Sequence, residues 1–219
     1  MLTVAQRRYG QSLAPAVVQA WREFSAAFSE FPFGAGIYNA PMQFGPANLL
    51  WSGPTNYKSG PVGFPYDDLD GWRPPYPPEV FIAQFEKLAA GFEQALAKLK
   101  HAVTASHERD ELAKELNVDE AAAIHFRSTA NQARFVWTRN RLAAARSKTD
   151  GEALLATLER LLRDEMELAR RLYAIQMRDS RIGFEASNQY YYVPMDLAEK
   201  VLNCRDLLKR WIPEQRAKL

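Results

Sequence analysis

Residues 31–78 carry ten of the thirteen prolines, seven of the eleven glycines and ten of the twenty-six aromatic residues. No long helix survives that density, because each proline removes a backbone donor and each glycine frees the chain to turn. Connections in compact domains run to about 4–6 residues, and structureless ones beyond about 12–15 are functional or disordered. Disordered segments are poor in aromatics, whereas this one is rich in them. The stretch is therefore predicted to be an ordered, aromatic-lined excursion held against a scaffold.

The scaffold reads as helix. Leu13, Val17, Ala20, Trp21, Phe24, Ala27, Phe28 and Phe31 follow the i, i+3, i+4, i+7 rule and predict a first helix over residues 13–31. Ser12 is its expected N-cap, Pro15 falls in the first turn, and Pro32 ends it. A second helix starts near Pro78, with Phe81, Phe85, Leu88, Phe92, Leu96, Leu99 and Val103 on one face. Gly91 and Gly151 enclose 59 residues without proline or glycine, which as one helix would be a rod of about 90 Å at about 1.5 Å per residue. A break is required, and Asn117, Val118 and Asp119 are its predicted place, since Asn ends helices and Asp caps them. Further helices are expected over about 120–146 and 152–178, then an irregular segment over 179–194 and a last helix over 195–211. The fold class is all-α: one domain spanning 1–219, an antiparallel bundle of about five helices with a long ordered loop. No βα alternation encodes a Rossmann or barrel fold.

Composition narrows the function classes. A net charge of +2 on 219 residues points to neither a nucleic-acid nor a membrane partner. The single cysteine, Cys204, excludes an internal disulfide framework and sits at a core spacing with Leu197, Val201 and Leu208. No run of 18 apolar residues and no signal-peptide h-region occur. Localisation is expected to be cytoplasmic if the chain is complete, and otherwise set by an upstream segment. No metal or cofactor is expected. The Asp67, Asp68, Asp70 cluster lacks EF-hand spacing, the three histidines show no ligand spacing, and the GAG at 34–36 follows a helix without a GK[ST].

The candidate site is aromatic. Trp51, Tyr57, Phe64, Tyr66, Trp72 and Tyr76 offer flat faces, and Asn56, Asp67, Asp68, Asp70 and Arg73 offer hydrogen bonds, the mixture a pyranose ring needs. The same rings would equally serve to pin a long loop to a bundle. The second irregular segment adds Glu185, Asn188 and the triplet Tyr190, Tyr191, Tyr192. Glu185 facing Asp67 or Asp68 at about 5–10 Å would make a hydrolytic pair. Arg127, Arg134 and Arg141 recur every seven residues and are expected to pair with Glu159, Asp164, Glu165 and Glu167 on the next helix. Glu165 interrupts a leucine stripe and needs an Arg, or His125, to remain charged.

Three passages together resemble a known type of region: RRYGQSLAPAVVQAWREFSAAFSEFPF running on to GPANLLW, FRSTANQARFVWTRNRL, and DSRIGFEASNQYYYVPMDLAEKVLNC. They are similar to the helical region after the catalytic barrel in large bacterial proteins of glycoside-hydrolase type, akin to hexosaminidases and α-glucuronidases. The resemblance implies a carbohydrate context and an upstream barrel partner, and carries over no catalytic residue. The expected role is an accessory helical domain that shapes or covers a glycan site without complete catalytic machinery. The alternative is a protein-interaction or homodimerisation module whose aromatic loop docks a partner.

Overall fold

The computed structural model describes residues 1–61, 63–104, 109–184 and 190–219. Among them the long helices are α1 (Leu2–Phe28), α3 (Pro78–Thr104), α4 (Arg109–Ala143), α5 (Lys148–Arg178) and α6 (Pro194–Asp206). A π turn at Leu207–Trp211 carries α6 into α7 (Ile212–Arg216), and the short α2 (Leu69–Trp72) lies within the loop. The described residues form no strand, only an isolated bridge between Phe184 and Tyr190. The chain is all-α.

Cross-helix contacts fix the order and direction. Glu23 meets Lys98 and Glu30 meets Gln84, so α1 and α3 run antiparallel. Glu93 meets Arg127 and Glu86 meets Arg134, reversing α4 against α3. Glu120 meets Arg171, and Glu152 meets Arg216, continuing the alternation through α5 to the C-terminal helix. The helices thus form a meander with α4 in the middle.

Three expectations need correction. First, α1 begins at Leu2, not Leu13, and is interrupted at Gly10, whose φ of 79° no side-chain-bearing residue adopts readily. The turns before the break bury only Ala5 and Tyr9, too few apolar positions for periodicity to register. Second, α4 runs unbroken through Asn117, Val118 and Asp119; α3 ends at Thr104 and α4 begins at Arg109. Asn and Asp are only mildly poor helix formers, and the earlier start lets Leu112 bury against α1. Third, Arg127 and Arg134 pair with α3 rather than α5, each as a two-pronged contact at 2.7–3.0 Å.

Being central, α4 buries polar residues: Ser128, Asn131, Gln132 and Arg139 are all nearly inaccessible. Ser128 and Asn131 border a fully buried ion pair, Glu165 with Lys200 at 3.0 Å, both side chains 0% exposed. The partner of Glu165 is therefore Lys200 and neither an Arg nor His125. Ser128 and Asn131 also donate to the carboxylate at 2.8 and 3.1 Å. Lys200 donates in addition to the Asn48 carbonyl, fastening the loop to α6. Asn48 in turn donates to the Tyr66 carbonyl at 2.8 Å and to Gln132 at 2.7 Å, while Gln132 donates to the Gly45 carbonyl. Asn203 brackets Leu50, accepting from its N–H and donating to its carbonyl, both at 2.9 Å. Several of the loop's backbone groups, at Gly45, Asn48 and Leu50, thus find partners on helix side chains. Gly45, at φ +51°, lies where a Cβ would press on the His125 ring at 3.0 Å.

Removing one member of a buried pair strands the other charge, which costs about 3–5 kcal/mol. Lys200→Met is expected to lower stability to urea by that order, whereas Glu165→Gln combined with Lys200→Met should recover much of the loss. Denaturation midpoints of the two variants against the wild type check this.

Candidate functional site

The structure divides the aromatic candidates into two groups. Trp72, Tyr76 and Tyr192 hold the fold. Trp72 is 1% exposed, packs beside Ile37, Phe81 and Ile82, and donates its indole N–H to the Pro65 carbonyl at 3.0 Å. Tyr76 is half-buried and its hydroxyl donates to the Phe33 carbonyl at 2.7 Å. Tyr192 is 1% exposed, with its hydroxyl 2.8 Å from His125 Nε2. His125 Nδ1 faces the Met42 carbonyl, which only accepts, so that nitrogen carries the proton and Nε2 accepts from Tyr192. Burial pushes the His125 pKa down, keeping the ring neutral in this chain of bonds.

Trp51, Tyr57, Tyr66, Tyr190 and Tyr191 face outward together. Trp51, Phe64 and Tyr66 from the loop and Tyr190 and Tyr191 from the second segment line one open groove of about 550 Å³. Its rings form a continuous series: Trp51 to Tyr66 at 6.1 Å, Tyr66 to Phe64 at 6.1 Å, Phe64 to Phe44 at 5.4 Å, and Phe44 to Tyr191 at 5.5 Å. Tyr57 flanks Tyr66 at 5.0 Å. Tyr66 has φ +51°, a region that aromatic residues rarely occupy, and the Asn48 amide on its carbonyl helps to hold that turn. Asp196 and Glu199 of α6 supply carboxylates along the groove, Asp196 also capping α6 by accepting from the Val193 N–H at 2.8 Å.

The loop acids are engaged elsewhere. Asp67 accepts from Arg139 at 2.8 Å, with side chains 6% and 4% exposed, and from the Thr55 hydroxyl and N–H. Arg139 also donates to the carbonyls of Trp51 and Gly53, both at 3.1 Å, so this pair clamps the loop to α4. Asp68 accepts from Lys58 at 3.0 Å and from the Ser59 N–H at 3.1 Å. Burial pushes the Asp68 carboxyl up, but the bonds from Ser59 and Lys58 outweigh it and hold the pKa below the ordinary range. Asp70 pairs with Arg73 at the surface. Glu185, Asn188 and His107 lie outside the described residues. Among the described residues, no three His, Cys, Asp or Glu side chains are placed to share a metal ion. Burial raises the Cys204 thiol to about 12, a core thiol as its spacing indicates.

One group escaped sequence reasoning. Asp119, expected from sequence only as a helix cap, lies about a third of the way along α4 and has an Oδ2 without a hydrogen-bond partner among the described residues. Burial raises its pKa to about 7, and the neighbouring Glu115 charge adds to the rise. Glu115 accepts from Tyr9 at 2.7 Å and from Trp21 at 3.0 Å, tying α4 to α1. Asp119 reads as polar in sequence, and only its enclosure distinguishes it.

No family model, curated protein or solved structure matches the chain.

The raised Asp119 pKa makes a pH dependence. A carboxyl with a folded-state value near 7 and an ordinary value of 3.8 favours the fold in its protonated form. That stabilisation is complete below about pH 4 and is lost as pH rises through about 7. Asp119→Asn, which cannot ionise, is expected to raise the melting temperature relative to wild type near pH 8 while changing it little near pH 4. Thermal melts across that range check it.

Proposed function

We propose that the aromatic groove is a glycan-binding surface and that the chain acts as an accessory helical domain of a carbohydrate-active protein. The observation that carries this reading is the convergence of Trp51, Phe64, Tyr66, Tyr190 and Tyr191 on one open groove bordered by Asp196 and Glu199. Aromatic faces suit the C–H faces of a pyranose, and carboxylates accept from its hydroxyls. The groove joins two segments distant in sequence, and each contributes to the passages that resemble the helical region behind a glycoside-hydrolase barrel. Asp67 and Asp68 are committed to Arg139 and Lys58, so the reading assigns the domain a shaping role, with the reactive groups supplied by a partner domain.

A second reading rests on exposure. Tyr57 is 63% and Phe64 61% exposed, apolar area that a protein partner or a second copy would cover.

Oligosaccharide titration followed by tryptophan fluorescence separates the two readings. Trp51 lies in the groove while Trp72 lies in the core, so a sugar is expected to perturb the former. A saturable response to neutral or N-acetylated oligosaccharides, weakened roughly thirtyfold by Trp51→Ala, matches a binding anchor. Absence of any saturable response counts against the glycan site. A dimer by light scattering that Phe64→Ser dissociates favours the second reading.

A further inference from the structure

The global charge is nearly balanced, but its distribution is not. Along α5 and the C-terminal helix, Arg160, Arg171, Arg210 and Arg216 each pair with an acid. Arg163 and Arg170 of α5, with Arg205 and Lys209 across from them, line a hollow of about 580 Å³ together with Met166 and Leu208. None of these four cations makes an ion pair among the described residues. Of the three acids between Arg163 and Arg170 in sequence, Asp164 pairs with Arg160, Glu165 pairs with Lys200, and Glu167 pairs with neither arginine.

Arg170 also borders a second hollow of about 410 Å³, walled by Tyr173, Val201 and Leu202. The two hollows therefore form one face, cationic towards one end and apolar towards the other. Helical spacing extends the apolar part: Met177 follows Tyr173 by four residues, and Met195 precedes Leu202 by seven. These side chains are not half-hidden core residues. Leu202 and Met177 are each 63% exposed and Met195 is 68% exposed.

We infer that the α5–α6 face is a docking surface for a lipid bilayer bearing anionic headgroups. The four unpaired cations complement that charge, and the apolar side chains suit the boundary between headgroups and acyl chains. A rod-like partner lying on the groove floor would leave the protruding Leu202, Met177 and Met195 in water, whereas a deformable interface takes them together. The contact is one of lying on the membrane, for no described helix is long and apolar enough to cross one. Neither the aromatic groove nor its proposed ligand enters this inference, since α5–α6 presents a different set of residues.

Cosedimentation of the full chain with vesicles tests it. Vesicles of phosphatidylcholine alone are compared with vesicles containing about one quarter phosphatidylglycerol, at about 0.1 M and about 1 M salt. Binding is expected only to the anionic vesicles and only at the lower salt. Arg170→Ala and Arg205→Ala should each weaken it roughly fivefold, the equivalent of about 1 kcal/mol per charge near the surface. Leu202→Ser should weaken it further, and all three positions are exposed, so circular dichroism and melting temperature should not change. No binding to anionic vesicles at low salt overturns the proposal. So does binding indifferent to Leu202→Ser, which would be charge attraction without insertion. A dimer that Leu202→Ser converts to monomer assigns the face to a second copy and likewise overturns it.

Discussion

A lysine and a glutamate with no contact with water stand at the centre of this bundle, and the packing of three helices and the loop depends on their staying together. Bringing Glu165 and Lys200 out of water is expensive, and their attraction offsets that only if their remaining donors and acceptors are also met. Here they are met by Ser128, Asn131 and the Asn48 carbonyl, from α4 and the loop. The pair is thus a junction of four segments: α4, α5, α6 and the loop. A junction of this kind also sets register. Sliding α6 by one turn would draw Lys200 away from both Glu165 and Asn48, leaving the ammonium and the Asn48 carbonyl without these partners and the Glu165 charge uncompensated.

The loop is best understood from this junction outward. A proline-rich chain satisfies its own backbone only in short turns, so its other buried backbone groups require acceptors and donors from elsewhere. Gln132, Asn203 and Arg139 of the helices provide them, and Asn48 adds a bond to the Tyr66 carbonyl from within the loop. With the inner edge fastened, the outer edge can present rings to solvent. Trp72 and Ile37 fill the space over α3 and α4, while Trp51, Phe64 and Tyr66 face the groove. The same segment thereby serves as core on one side and as surface on the other. Which aromatic takes which role follows from the local turn. Trp72 follows Leu69 by three residues in the single-turn α2, and both are buried there.

Legibility varied with the origin of the signal. The apolar stripes of α3 and α5 were plain because a core helix needs one face apolar at the helical period, and Leu155, Leu158, Leu162 and Leu172 obey it. Lys200 carries a signal of the same kind, for it lies on the apolar face of α6, three residues after Leu197 and four before Cys204. The partners of Arg127 and Arg134 were not legible, since acids suited to pairing occur on both neighbouring helices and only the three-dimensional order chooses between them. The break before α4 was equally hidden. No strong helix breaker marks it, and its place was decided by the burial of Leu112 and the bonds from Tyr9 and Trp21 to Glu115.

The sequence by itself determined that the chain is all-α, that residues 31–78 form an excursion rather than a helix, and that Cys204 belongs to the core. Those features rest on periodicity, on proline and glycine content and on spacing, each of which acts over one element. Only the tertiary structure decided that Trp51, Tyr66, Tyr190 and Tyr191 share a groove while Trp72 and Tyr192 are buried, and that four cations on α5, α6 and the π turn after it make no ion pair among the described residues. Ring types and charges repeat along a chain without recording their neighbours. Burial and pairing are properties of contacts between distant segments, and those are made only when the helices pack.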